Sequence, residues 1–187
     1  MKKAFYVDVE TTGLHPWRND IIQLACIIEI NGEVVEEFTS RMQPFDYGAI
    51  NEKALQVTGT RMEDLKEYPD PKIVYTQLVD VLGKYVNKFE KGDKFTPIAY
   101  NGKFDCEFLN GFFKKNDDRY YGSWFNWRIV DPLAYLYIMD FQRRIDLPNY
   151  KLSTVCQHFG IPIQAHDALS DIRATKKLWE TLVDLGV

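Results

Sequence analysis

Residues 4–10, Ala4-Phe5-Tyr6-Val7-Asp8-Val9-Glu10, alternate between an apolar set (Phe5, Val7, Val9) and a polar one (Tyr6, Asp8, Glu10). A period of two is the mark of a β-strand. Two more apolar stretches, 21–30 and 34–42, are joined through Asn31-Gly32. That pair is the strongest short hairpin signal, because both turn positions want positive φ. The three stretches predict a meander. Residues 51–66 read as short helical pieces broken at Gly59. Pro71 opens a helix to about residue 86, with Ile73, Leu78, Val81, Leu82 and Tyr85 at helical spacing. Residues 89–94 form a charged loop, 96–100 a buried strand and 103–115 a helix. Ile129-Val130 is the core of a fifth short strand, ended by Asp131-Pro132. Helices follow at 133–139, at 152–159 before Gly160 and Pro162, and from about 168 to 185. No repeat or linker divides residues 1–187, which predicts one domain. A meander followed by strand–helix alternation predicts an α/β fold with a mixed five-stranded sheet flanked by helices.

Composition narrows the classes. No apolar run approaches the roughly 20 residues of a membrane span, so no membrane partner is expected. Lys2-Lys3 precedes a stretch that Asp8 and Glu10 interrupt, which is no secretory signal. Cys26, Cys106 and Cys156 are odd in number, widely spaced and without a C-x-x-C pair. They predict free thiols in a reducing compartment, the cytoplasm. A formal net charge of −4 argues against coating nucleic acid by bulk electrostatics, but not against a local grip on a strand end.

The acids carry the chemistry. Asp8 and Glu10 leave the same side of the first strand about 7 Å apart, just before the turn at Gly13. They are either the polar face of a half-exposed strand or one side of a divalent-metal site. Asp105 precedes Phe108, Leu109 and Phe112 by three, four and seven residues, so it continues an inward stripe. It is either an acid favoured at a helix start or a buried carboxylate that needs a cation. Asp171 extends the stripe of Thr175, Leu178 and Leu182 in the same way. His166 falls beyond the expected cap at Asp167, in a loop: a surface histidine, or one that reaches back to the acids. Brought together without a cation, such carboxylates repel by about 3 kcal/mol per pair at ~5 Å and an effective dielectric of ~20. All-oxygen donors select Mg²⁺ or Mn²⁺ over zinc. A pair of such ions suits phosphoryl chemistry, with histidine placed to take a proton from water.

The series D-x-E-T-T-G at 8–13, N-G-K-F-D at 101–105 and H-x-x-x-x-D at 166–171 resembles the DEDDh 3′→5′ exonucleases. The closest look is to the proofreading exonuclease subunit of bacterial DNA polymerase III. The resemblance runs from Ala4 to about Leu182 and takes in Tyr150-Lys151-Leu152 and Gly160-Ile161-Pro162. It implies a ribonuclease-H-like fold and two ions of Mg²⁺ or Mn²⁺ held by Asp8, Glu10, Asp105 and Asp171. Asp8 would bridge both ions, and Asp105 would help hold the second partly through water. His166 would be the general base, since position 167 is Asp and not the Tyr of the sister branch. Thr11, Thr12 and Leu14 would contact the terminal nucleotide, and Asn101 would line its pocket. Two departures touch none of these: Thr58 and Thr60 replace the His and Ile of an H-G-I-T stretch, and Asp131-Pro132 stands where D-T is usual.

The implied activity is release of 5′-mononucleotides from the 3′ end of single-stranded or frayed DNA, with a DNA polymerase as a candidate partner. An RNA exonuclease is the rival enzyme; E-T-T-G leans toward the DNA type, because the oligoribonucleotide-degrading branch carries E-M-T-G. A catalytically silent nucleic-acid-binding accessory module is the rival of another class. The segment 120–128 is dense in aromatics, either a stacking surface or, as its preferred reading, a loop packed on the core by its own rings.

Overall fold

The structure, a computed structural model, describes residues 2–164 and 167–186. β1 (Lys3–Thr11), β2 (Ile21–Ile30) and β3 (Glu33–Arg41) form the predicted antiparallel meander. Asn31 and Gly32 make its hairpin turn at φ of 53° and 92°, the positive values such a turn requires. β4 (Thr96–Ile98) lies parallel to β1, giving the order β3-β2-β1-β4. The sheet is mixed, but among the described residues it has four strands where the sequence predicts five. Around Ile129-Val130 only a parallel bridge between Ile98 and Val130 forms. Asp131 turns at once to cap a helix, and Pro132 has no N–H to extend a ladder.

Short helices α1 (Glu52–Thr58) and α2 (Met62–Leu65) stand on either side of Gly59. α3 (Pro71–Gly83) starts at its proline, with Asp70 as cap. It buries Val74 rather than Ile73, which is 55% exposed: the stripe runs through Pro71, Val74, Leu78, Val81 and Leu82 on a 3.6-residue period. α4 (Lys103–Lys115), α6 (Pro132–Phe141), α7 (Leu152–His158) and α8 (Ala168–Asp184) match the predicted helices closely. α5 (Tyr121–Trp124) is a brief helical turn in the aromatic segment. Trp124 and Phe125 are buried there, and Phe125 meets the ring of Phe5 at 4.8 Å. Tyr120 and Trp127, at 69% and 84%, stay exposed, so the core packing of the preferred reading holds for the middle of the segment and not for its ends.

Alternation along β1 divides the layers. Phe5, Val7 and Val9 pack with Val74 and Leu78 of α3 and Phe108 and Phe112 of α4. Tyr6 packs on the opposite face with Ala168 and Ile172 of α8. By the same period Asp8 and Glu10 leave the sheet on the α8 side. A third cluster ties α6 and α7 to α8 through Leu136, Val155 and Leu178, which fixes the helix that carries Asp171. The three cysteines are free and buried. Among the described residues no helix is long and apolar enough to cross a membrane.

Candidate active site

Asp8, Glu10 and Asp171 each offer a carboxylate oxygen, and the three atoms lie within 4.8 Å of one another. The strand period aims the first two, and the start of α8 aims the third. Asp167 is the N-cap of α8: its carboxylate accepts the Ser170 N–H at 3.1 Å. Gln23 Nε2 also donates to it at 3.2 Å, and Gln23 is the β2 residue opposite Glu10. The helix start is therefore pinned across the β1–β2 pair. Thr175, Leu178 and Leu182 are buried below, so Asp171 continues their stripe out of the core.

Asp105 approaches from the other layer. Past Tyr6 the β4-facing edge of β1 has no strand partner among the described residues. Asp105, 4% exposed in the first turn of α4, uses Oδ1 there to accept the Val9 N–H at 3.1 Å. It is tied to the stretch between Asp8 and Glu10 without joining the convergent trio of oxygens.

Charge accumulates at this strand end. Burial pushes the Asp8 carboxyl well above the usual range, and Asp105, Asp171, Glu10 and Asp167 push it further. Burial, then Asp171 and Asp167, raises Glu10 to about 7. Asp105 is raised by burial to about 8, although the backbone N–H groups it accepts pull the other way. No imidazole or thiolate joins the trio among the described residues. Crowded, oxygen-only and short of positive charge, the donor set fits a hard divalent cation.

Thr11, the last residue of β1, and Thr12 after it are buried. Thr11 Oγ1 donates to the Gly13 carbonyl at 2.7 Å, and Thr12 Oγ1 accepts the Asp20 N–H at 2.9 Å. The Thr12 carbonyl also accepts the Asn51 N–H at 2.8 Å. Both hydroxyls thus shape the loop. Leu14, 73% exposed, stands over a cleft of about 560 Å³ shared with Arg18, Asn51 and Lys53. Gly13, read from sequence as a turn former, has no positive φ. Its glycine is required by crowding: a Cβ would lie 2.4 Å from Asn19 Oδ1, which accepts the His15 N–H.

On the other flank Asn101 adopts φ 57°. The carboxylate of Asp131 accepts the N–H groups of Asn101 and Gly102 at 3.0 and 3.1 Å and caps α6 through the Leu133 N–H at 3.0 Å. In sequence Asp131 reads as the end of a strand core and a departure from D-T; an Asp-Pro pair opening a helix is the local signal of its capping role. Asn101 lines a cleft of about 680 Å³ with Tyr137, Tyr150, Lys151 and Asp171. His166, the residue expected as general base, lies outside the described residues.

The profile of the RNase_T family, described as exonuclease, matches residues 5–179. The PolC-type DNA polymerase III of Oceanobacillus iheyensis is 32% identical over 177 residues, which are 94% of this chain and 11% of the polymerase. That of Halalkalibacterium halodurans is 30% identical over 182 residues, 95% of this chain and 11% of the polymerase. E. coli Exonuclease I in complex with a dA16 oligonucleotide superposes with a TM-score of 0.78 at 22% identity, covering 99% of this chain and 43% of that one. Its complex with dT13 gives 0.80 at 21% identity, covering 98% and 41%. The chain spans about a tenth of the polymerases it matches and under half of Exonuclease I. At such identities the structural likeness speaks to the fold.

Proposed function

The chain belongs to the RNase_T exonuclease family, and from that premise we propose that it is a 3′→5′ exonuclease. In this reading residues 1–187 act as one exonuclease domain that releases 5′-mononucleotides from the 3′ end of single-stranded or frayed DNA. The observation that carries the reading is the convergence of Asp8, Glu10 and Asp171 within 4.8 Å, beside an Asp105 anchored to Val9. Asp8, Glu10 and Asp171 would hold two Mg²⁺ or Mn²⁺ ions, with Asp105 assisting at the second partly through water. Such ions supply activation of the attacking water and neutralisation of the leaving oxygen. His166 would take the proton from that water. Leu14 would pack on the terminal nucleotide, Thr11 and Thr12 would hold the loop backbone against it, and Asn101 would border its pocket. That relatives are DNA polymerases, and that the Exonuclease I structures hold DNA oligonucleotides, favours DNA as substrate and a polymerase as working partner.

Matched DNA and RNA strands labelled at either end test the proposal. With Mg²⁺ or Mn²⁺ the 3′ label is released first as a mononucleotide, DNA is consumed faster than RNA, and a chelator stops both. Absence of release with either ion, or release from the 5′ end, overturns the reading. Faster loss of RNA transfers it to an RNA exonuclease.

A further inference from the structure

α6 turns Leu136 and Met139 inward, yet Tyr137, Ile138 and Phe141 are 52%, 49% and 91% exposed. They form one stripe on the outer face of the helix. The stripe begins at the candidate site: Tyr137 lines the same cleft as Asp171 and Asn101, with the ring of Tyr150 at 4.9 Å. It then leads one turn away, to Phe141. Lys151 borders the cleft and makes no ion pair among the described residues.

Resting on the exonuclease reading for the position of the 3′ end, we propose that α6 is the track of the unpaired strand upstream of that end. Its bases stack on Tyr137 and Phe141, and Lys151 meets a phosphate between them and the carboxylates. The two residues are about 6 Å apart along the helix axis, against about 3.4 Å between bases stacked in a duplex strand. That spacing suits a strand drawn out over a surface. Aromatic faces with a neighbouring cation hold such strands without regard to sequence. A protein partner is the weaker occupant: a stable interface needs about 800 Å² per side, and three side chains on one short helix fall short of it.

Tyr137→Ala, Phe141→Ala, Phe141→Leu and Phe141→Trp test the track in two assays. In chelator, where no hydrolysis occurs, fluorescence anisotropy with a labelled twelve-nucleotide thymidine strand reads binding alone. Each alanine variant should weaken it about tenfold, with Phe141→Trp retaining affinity and Phe141→Leu losing most of it. With Mg²⁺, the loss in kcat/KM of Phe141→Ala should be about tenfold greater on the twelve-nucleotide strand than on a dinucleotide. Unchanged binding in both alanine variants overturns the track and leaves the hydrolytic reading standing. Full affinity in Phe141→Leu overturns stacking. A wild type that binds the strand through Phe141 but releases no nucleotide keeps the track and removes the exonuclease.

Discussion

Glu10 stands at the end of β1 with Asp171 and Asp167 near enough to add to the effect of burial, which together lift its pKa to about 7. Above that pH its charge persists against like neighbours in a poorly solvated place. Glu10→Gln keeps the side chain's shape and removes the repulsion. The metal-free variant at pH 8 should therefore melt a few degrees above wild type, where about 1 kcal/mol corresponds to roughly 2–4 °C. It should also lose most of the stabilisation that Mn²⁺ gives wild type. Thermal melts in chelator and in Mn²⁺ read both, and a variant less stable in chelator would show that Glu10 is supported where it sits. Asp131 presents the opposite case, since it accepts three N–H groups. Asp131→Ala should cost about 2–3 kcal/mol in urea unfolding and lower kcat/KM through Asn101 and the start of α4; unaltered unfolding would deny it that bracing role. The two residues differ in legibility. Glu10 can be seen in sequence because it follows Asp8 by two on one face of a strand, as Asp105 and Asp171 can because each extends an apolar helical stripe. The bonds from Asp131 to Asn101 and Gly102 span about thirty residues and obey no period, so only its cap is visible.

Elements were legible where punctuation is local. Asn31-Gly32, Gly59, Pro71 and Pro132 act within a few residues, and the strands and helices start or stop at them. The fifth strand was not, because two β-branched residues announce a strand while the pairing depends on what β4 leaves open. Gly111 is another long-range case. In sequence it is a weak point in the middle of α4, and alanine should help the helix by about 1 kcal/mol. In the fold a Cβ there would lie 2.6 Å from the Pro16 carbonyl oxygen, where α4 meets the loop that carries Leu14. Gly111→Ala is therefore expected to lower the urea midpoint despite the better propensity, and to raise KM more than it lowers kcat, because the loop is moved and the carboxylates are not. A rise in midpoint would mean that the loop yields without cost.

Across the molecule these local strains combine into a pH dependence with a definite sign. Glu10 at about 7 and Asp105 at about 8 are raised above the carboxylate values of an unfolded chain, near 4. Between roughly pH 4 and 8 the metal-free folded state thus binds more protons than the unfolded state. Stability must then fall as pH rises: it is full below the unfolded values and is lost as the folded ones are passed. Paired acids do not mask the trend. Hydrogen bonds from Lys3 and Arg61 hold Asp93 and Asp64 below their ordinary range, so both are ionised throughout the window. A divalent ion reverses the slope, because it binds the deprotonated carboxylates and releases their protons, adding stability that grows with its occupancy. Melting temperatures from pH 5.5 to 8.5 should accordingly decline in chelator and hold or rise in millimolar Mn²⁺, the gap widening by several degrees toward the alkaline end. Parallel curves would mean that the ion binds elsewhere, since a cation held by ordinary surface carboxylates, ionised across the whole range, gives a gap that does not change with pH.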